Sequence, residues 1–137
     1  MNLVILSVGS NIDPLQNISK AAGILAGMKC LISVSSFHRT EPQGFSDQPE
    51  FLNGAFYIKT DLTQPVLNQR LKEIEAELGR VRTSNKHGPR TIDLDIVTFN
   101  GEIIDPDYHL YPFVRESVDE IFDQIRSKKW KRKIEVA

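Results

Sequence analysis

The chain alternates between two rhythms of apolar residues. Residues 2 to 8, NLVILSV, form a short branched apolar run closed by Gly9, Ser10 and Asn11, which predicts a buried strand leaving through a turn. Asp13 ahead of Pro14 predicts a helix N-cap with proline at the first helical position, and Leu15, Ile18, Ala22 and Leu25 then recur at helical spacing to about Met28. Residues 30 to 38, CLISVSSFH, carry the β-branched alternation of a second strand, and residues 51 to 60, FLNGAFYIKT, that of a third. The segment between them, EPQGFSDQP, holds two prolines, a glycine and two acids. It predicts an irregular connection, long for one with no role of its own.

From Pro65 to Leu78 the positions Leu67, Leu71, Ile74 and Leu78 mark one helical face, and Gly79 is placed to end that helix. Thr91 to Val97 alternates as a fourth strand, and Asn100-Gly101 predicts a tight hairpin into a small strand at Glu102-Ile103-Ile104. Val114, Val118, Ile121, Phe122 and Ile125 share a face of a third helix, ahead of a basic tail, KKWKRK, read as a solvated end. The order β-α-β-β-α-β, followed by a hairpin strand and a helix, predicts an α+β fold: a ferredoxin-like sandwich with helices packed on an antiparallel sheet. Such a fold hosts many unrelated functions, so the site must decide.

Composition narrows the field. At 137 residues the chain is read as a single domain, 1–137, able to bury a core without disulfides. Basic and acidic residues, 17 and 18, nearly cancel, which argues against a surface built for nucleic acid or for anionic membrane. Any anion site is therefore local. The single cysteine, Cys30, and the lack of an apolar leader or membrane-length apolar run predict a soluble, cytoplasmic protein.

The local site lies in GPRTIDLDIVTF, residues 88 to 99. Strand alternation puts Asp93 and Asp95 on one face with Cα atoms about 7 Å apart, where neighbouring anions bring a strand no stability. Such a pair suits a hard cation that arrives with a nucleotide, completed by water and phosphate oxygens. The plain alternative is an ion pair with nearby arginines. Between Gly79 and Ile92 stand Arg80, Arg82, Lys86, His87 and Arg90 with no acid among them, a candidate polyphosphate clamp. Neither a Walker-type loop nor a dinucleotide fingerprint is present, so ATP would be held by arginine, lysine and metal. Glu75, beside the buried face of the second helix, is either solvated or orients an arginine or a substrate hydroxyl.

These residues resemble one family. GPRTIDLDI, GRVR at 79 to 82, SVGSN at 7 to 11, SSFHRTEP at 35 to 42 and DQPEFLNGA at 47 to 55 follow in the order found in 6-hydroxymethyl-7,8-dihydropterin pyrophosphokinases, over roughly residues 3 to 113. The resemblance implies a Mg-dependent folate-pathway enzyme that moves pyrophosphate from ATP to the hydroxymethyl oxygen of a reduced pterin and releases AMP. It implies that Asp93 and Asp95 hold two Mg2+ ions, with Arg80, Arg90, Asp93 and Asp95 as the catalytic group. For ATP it implies Glu75, Arg82, Lys86, Arg90 and Ile96. For the pterin it implies Thr40, Glu41 and Gln43, Phe51 as a stacking aromatic, Asn53 reading the ring's polar edge, and Asp93. The linker 40 to 50 is the corresponding closing loop. The partners implied are the two small-molecule substrates, without nucleic acid or membrane, in a monomer or weak homodimer.

After Tyr111-Pro112 the resemblance breaks. Phe113 stands where the family has a histidine, and the later arginine and second stacking aromatic are absent, leaving Arg115, Phe113 or Phe122 as substitutes. That departure keeps open a diverged, non-catalytic nucleotide- or pterin-binding homologue. The aromatics Phe51, Phe56 and Tyr57, with the basic tail, keep open a ferredoxin-like RNA-binding module.

Overall fold

The computed structural model describes residues 1–42, 47–80 and 90–137. Its elements run β1 (Asn2–Ser10), α1 (Pro14–Gly27), β2 (Leu31–Val34), β3 (His38–Thr40), β4 (Phe51–Thr60), α2 (Gln64–Glu77), β5 (Asp93–Phe99), β6 (Glu102–Ile103), α3 (Asp107–Leu110) and α4 (Pro112–Ser127). All named strand pairs are antiparallel: the sheet runs β2-β4-β1-β5-β6, with β3 also on β4. This is the α+β, ferredoxin-like arrangement of sheet and helices that the order of elements predicts.

Strand alternation divides the core in two. The even positions Val4, Leu6 and Val8 of β1, Phe56 and Ile58 of β4 and Leu94 and Ile96 of β5 gather with Ile18, Ala21 and Leu25 of α1 and Leu67, Leu71 and Ile74 of α2. On the opposite face Ile5, Ala55, Tyr57 and Val97 meet Val114, Val118 and Ile121 of α4. A register shift between Ile5 and Leu6 on the β1–β5 edge marks a bulge, around which β5 turns toward β6. Helix α4 covers only part of its face. Where the apolar residues stop, the same face carries Ser7 opposite Asp95, and Gly9 between Asn53 and Asp93, and this polar end of the sheet forms the floor of the site.

Several local expectations change. Asp13 precedes the proline-led helix, but it sits in the left-handed region at φ 41 with no side-chain cap bond; instead Asn17 Nδ2 returns to the carbonyl of Ile12 at 2.6 Å. The strand expected at 30 to 38 is broken into β2 and β3. From Val34 to His38 the chain takes four steps while β4 takes three, from Phe56 to Asn53, so one residue is extra. Phe37, inside that break, is fully buried over Gly54, where an added Cβ would lie 2.6 Å from its ring. Residues 130 to 137 are not a free tail: Val34 N–H donates to Lys131 O, Phe37 N–H to Glu135 O, and Ala137 N–H to Phe37 O, while Trp130 packs 5.8 Å from Tyr57. Their carbonyls and amides cover the exposed edge of β2. Among the described residues no helix is long and apolar enough to cross a membrane.

Candidate active site

A cleft of about 160 Å³ opens at the polar end of the sheet, lined from the strands by Ser7, Gly9, Asn53, Asp93 and Asp95 and from the edges by Thr40, Glu41, Phe51 and Arg90. Gly9 is needed here: a Cβ at that position would fall 2.7 Å from the Asn53 side-chain oxygen, so only glycine lets the amide lie across β1. Asn53 Nδ2 donates to Thr40 Oγ1 at 2.5 Å, which fixes the rotation of the amide and turns its oxygen toward Gly9. The Arg90 guanidinium stands 6.0 Å from the ring centroid of Phe51, at the outer reach of a cation–π contact.

The two aspartates differ in surroundings. Arg80 donates to Asp93 Oδ1 at 2.9 Å and Arg90 to Asp93 Oδ2 at 3.4 Å. Burial of Asp93 opposes its charge, but these two guanidinium groups outweigh burial and hold its pKa below the ordinary carboxylate value. Among the described residues the cation paired with Asp95 is Lys72, at 3.5 Å. Burial first, then the neighbouring Asp93 carboxylate, push its pKa up to about 7. Two hard oxygen donors whose ionised forms repel each other are suited to a divalent cation. Among the described residues no set of three or more acidic, histidine or cysteine side chains gathers to enclose a metal, so the pair fits an ion completed by water and phosphate rather than a closed structural site.

Behind the aspartates, Glu75 on α2 is 1% exposed. Its Oε2 accepts the backbone N–H of Leu94 at 2.8 Å, between the two aspartates, and its Oε1 lies 3.0 Å from Arg80. Glu75 thus fixes both the strand that carries the carboxylates and the arginine that meets them. Ile96 belongs to the α1/α2 core and also lines a second, shallower groove with Gln64, Asn68 and Ile104. Asp95 lines both the groove and the main cleft.

Of the residues singled out in the sequence, the structure brings Thr40, Glu41, Phe51, Asn53, Arg90, Asp93 and Asp95 around one cleft, with Arg80 and Glu75 directly behind it. Gln43, Arg82, Lys86 and His87 lie outside the described residues. Phe56 and Tyr57 are buried, so β4 presents no aromatic platform of the kind an RNA-binding sheet needs. Arg115 donates toward the carbonyls of Tyr108 and His109, and Phe122 lines a groove beside Tyr57 and Ile5; neither lines the cleft.

Sequence reasoning missed three groups. Asn11 joins two distant segments: its N–H donates to Arg90 O at 3.1 Å, its Oδ1 accepts Arg90 N–H at 2.8 Å, and its Nδ2 donates to Gln48 Oε1 at 2.7 Å and Pro49 O at 3.2 Å. Ser10 adds a bond from Oγ to Thr91 O at 2.6 Å. Lys72, the cation at Asp95, is one polar residue on a polar helix face, with nothing local to mark it. Asp107 of α3 and Tyr111, just before α4, line the cleft as well, beside Phe113, which is one of the three substitutes named from the sequence.

Comparison with known proteins agrees with this geometry. A family model described as 7,8-dihydro-6-hydroxymethylpterin-pyrophosphokinase matches residues 5–123, and so extends well into α4. The 2-amino-4-hydroxy-6-hydroxymethyldihydropteridine pyrophosphokinase of Bacillus subtilis (strain 168) is 38% identical over 117 residues, covering 83% of this chain and 70% of that protein. The protein of the same name from Pseudomonas aeruginosa is 36% identical, covering 78% of this chain and 71% of that one. The folic acid synthesis protein FOL1 of Dictyostelium discoideum is 41% identical over 108 residues, which is 77% of this chain and 16% of that much longer protein.

Proposed function

Because this chain belongs to the 7,8-dihydro-6-hydroxymethylpterin-pyrophosphokinase family, we propose that its cleft transfers pyrophosphate from ATP to the hydroxymethyl oxygen of 6-hydroxymethyl-7,8-dihydropterin, in folate synthesis, and releases AMP. The observation that carries this reading is the position of Asp95, which lines both the main cleft and the groove at Ile96 and Asn68. The pterin occupies the cleft, the nucleoside occupies the groove, and the phosphates pass between them over the two carboxylates.

In that arrangement the hydroxymethyl oxygen attacks the β-phosphorus, the bond to the oxygen bridging the α- and β-phosphates breaks, and the hydroxyl proton passes to solvent water. The leaving oxygen goes with AMP. Asp93 and Asp95 would hold Mg2+, two ions in this reading, and bound there the metal would supply neutralisation of charge on the phosphate oxygens. Arg80 and Arg90, fixed by Glu75 and Asn11, turn guanidinium groups toward the same oxygens, and Arg82 and Lys86 complete the clamp. Asn53 reads the donor and acceptor edge of the pterin while Phe51 covers a ring face, with Thr40, Glu41 and Gln43 beside it. Keeping water from the phosphates protects ATP from hydrolysis. We assign this activity to a single domain over residues 1–137, acting on these two small molecules in the cytoplasm.

The reading is tested by separating nucleotides after incubation with ATP, MgCl2 and the hydroxymethyl pterin. AMP should form only when all three are present, and should fall by a thousandfold or more in Asp95→Asn, on the order of what loss of a key charge-stabilising group costs. ADP as the product, or ATP bound without turnover, would overturn it.

A further inference from the structure

The acceptor side of the cleft hangs on a short edge strand. Strand β3 has three residues, and among the described residues its strand partner is β4, with His38 opposite Asn53 and Thr40 opposite Phe51. So short an edge brings little stability of its own. Yet it carries Thr40, whose Oγ1 accepts Asn53 Nδ2 and sets the rotation of that amide at the cleft. The entry to β3, at Ser36 and Phe37, is held from outside the sheet.

Residues 131–137 grip that entry. Phe37 N–H donates to Glu135 O at 2.9 Å and Phe37 O accepts Ala137 N–H at 2.8 Å, so the backbone of one residue is clamped on both sides across a parallel bridge at Val136. Nearer the start of the segment, Lys131 N–H donates to Ser33 Oγ at 2.8 Å and Lys131 O accepts Val34 N–H at 2.9 Å. Lys131 Nζ also reaches Ser36 Oγ at 3.3 Å, and Glu120 of α4 accepts Ser36 N–H at 2.8 Å. Between these anchors Ile134 packs against the core shared with α1 and α2. The grip reaches the cleft through Phe37, whose ring is fully buried over Gly54, next to Asn53, and meets Phe56 edge-on at 6.0 Å.

We propose that residues 131–137 position the acceptor site: by clamping Phe37 they fix β3 on β4, and so place Thr40 and Asn53 for the polar edge of the pterin. Glu135 and Ala137 act through their backbone groups and Ile134 through packing. All three are positioning residues, since they stand outside the lining of the cleft. The effect is one-sided. The bonds of this segment go to β2, to the break after it and to α4, whereas Glu75, Arg80 and the groove at Asn68 and Ile96 are carried by α2, β5 and their flanks. Strands β4 and β1 stand between the two sets in the sheet. A displacement of β3 therefore misaligns hydrogen-bonding groups for the acceptor and leaves the nucleotide side as it was. The inference rests on the pyrophosphokinase reading.

Calorimetric titration of the full chain with the hydroxymethyl pterin, in the presence of a non-hydrolysable ATP analogue and Mg2+, reads the acceptor side; titration with the analogue and Mg2+ alone reads the nucleotide side. Ala137→Pro removes the N–H that Phe37 O accepts, and Ile134→Ala loosens the segment between its anchors. Each should weaken pterin binding by roughly tenfold and leave binding of the ATP analogue unchanged. Ile134→Val keeps most of the packing and should bind the pterin as the unaltered chain does. Hydrogen exchange read by mass spectrometry should quicken over residues 37–40 in Ala137→Pro but not over α2 or β5, and thermal melting shows that each variant is folded at the assay temperature. Unaltered pterin affinity in either folded variant, or an equal loss for the pterin and the ATP analogue, would overturn the inference and leave the function standing. Failure of the unaltered chain to bind the pterin at all would overturn the function and this inference together.

Discussion

Asn11 Oδ1 accepts the backbone N–H of Arg90 at 2.8 Å while the same side chain, through Nδ2, donates to Gln48 and to the carbonyl of Pro49. One amide at the end of β1 therefore fastens both the segment that leads into Phe51 and the segment that leads into Asp93. Asn11→Ala should lower kcat/KM by roughly ten- to a hundredfold, with KM rising for ATP and for the pterin alike. Asn11→Asp keeps the acceptor and loses the donor, so it should spare the ATP side more. Steady-state kinetics with each substrate varied in turn decides this; a defect confined to one substrate in Asn11→Ala would show that the two segments are held independently.

Glu75 is the buried acid whose removal should cost most. Glu75→Ala leaves Leu94 N–H without its acceptor and Arg80 without its buried partner, and should destabilise the fold by about 3 kcal/mol, read from the urea midpoint. Glu75→Gln retains an acceptor for Leu94 and should cost less. Equal stability of both variants and the unaltered chain would mean that water replaces the carboxylate.

Asp95 makes stability depend on pH in an unusual direction for a carboxylate. Its pKa in the folded chain is raised to about 7 from an ordinary 3.8, so between those values the folded chain keeps a proton that the unfolded chain releases. Without divalent cation, the Asp95 contribution to stability should fall as pH rises through that window and level off above it. Asp93, lowered, contributes in the opposite sense and only toward acid pH, losing its stabilising effect as pH falls below the ordinary value. Melting curves at about pH 5 and about pH 8 should show a smaller alkaline loss for Asp95→Asn than for the unaltered chain. Identical pH slopes in the two proteins would contradict the shift.

Gly54 admits the ring of Phe37, with its would-be Cβ 2.6 Å from the ring. Gly54→Ala should cost about 1–3 kcal/mol by overpacking, measured by chemical denaturation. No loss would mean that the ring swings away freely, which its full burial argues against.

How much of this could be read from the chain depends on the range of the interactions. The alternation of Asp93, Leu94, Asp95 and Ile96 is local, so the two carboxylates on one face and the core residues on the other were visible in the sequence, as were the Asn100-Gly101 hairpin, at φ 50 and 84, and the apolar face of α4. Asn11 was legible only as a turn residue, because its partners lie 37 and 79 positions away and no periodicity links them. The break between β2 and β3 is likewise set from a distance. CLISVSSFH alternates well enough to be one strand, and it is Gly54 on the facing strand that draws Phe37 inward. The terminal residues read as solvated from their charge, yet the backbones of Lys131, Glu135 and Ala137 pair with Val34 and Phe37, and Lys131 Nζ reaches Ser36 Oγ and the Glu120 carboxylate. Phe113 was one of three candidate substitutes in the sequence; its place at the cleft follows from where α4 begins over the sheet.

The proposed reaction breaks ATP at the β-phosphorus over Asp93 and Asp95. Its most direct test follows ATP radiolabelled at the β-phosphorus through a single turnover with the hydroxymethyl pterin and Mg2+. The label should appear in the pterin product in proportion to AMP formed, and should stay in ATP when Asp93→Asn or Asp95→Asn replaces the unaltered chain. Label recovered in ADP, or transferred equally well by the aspartate variants, would contradict the account.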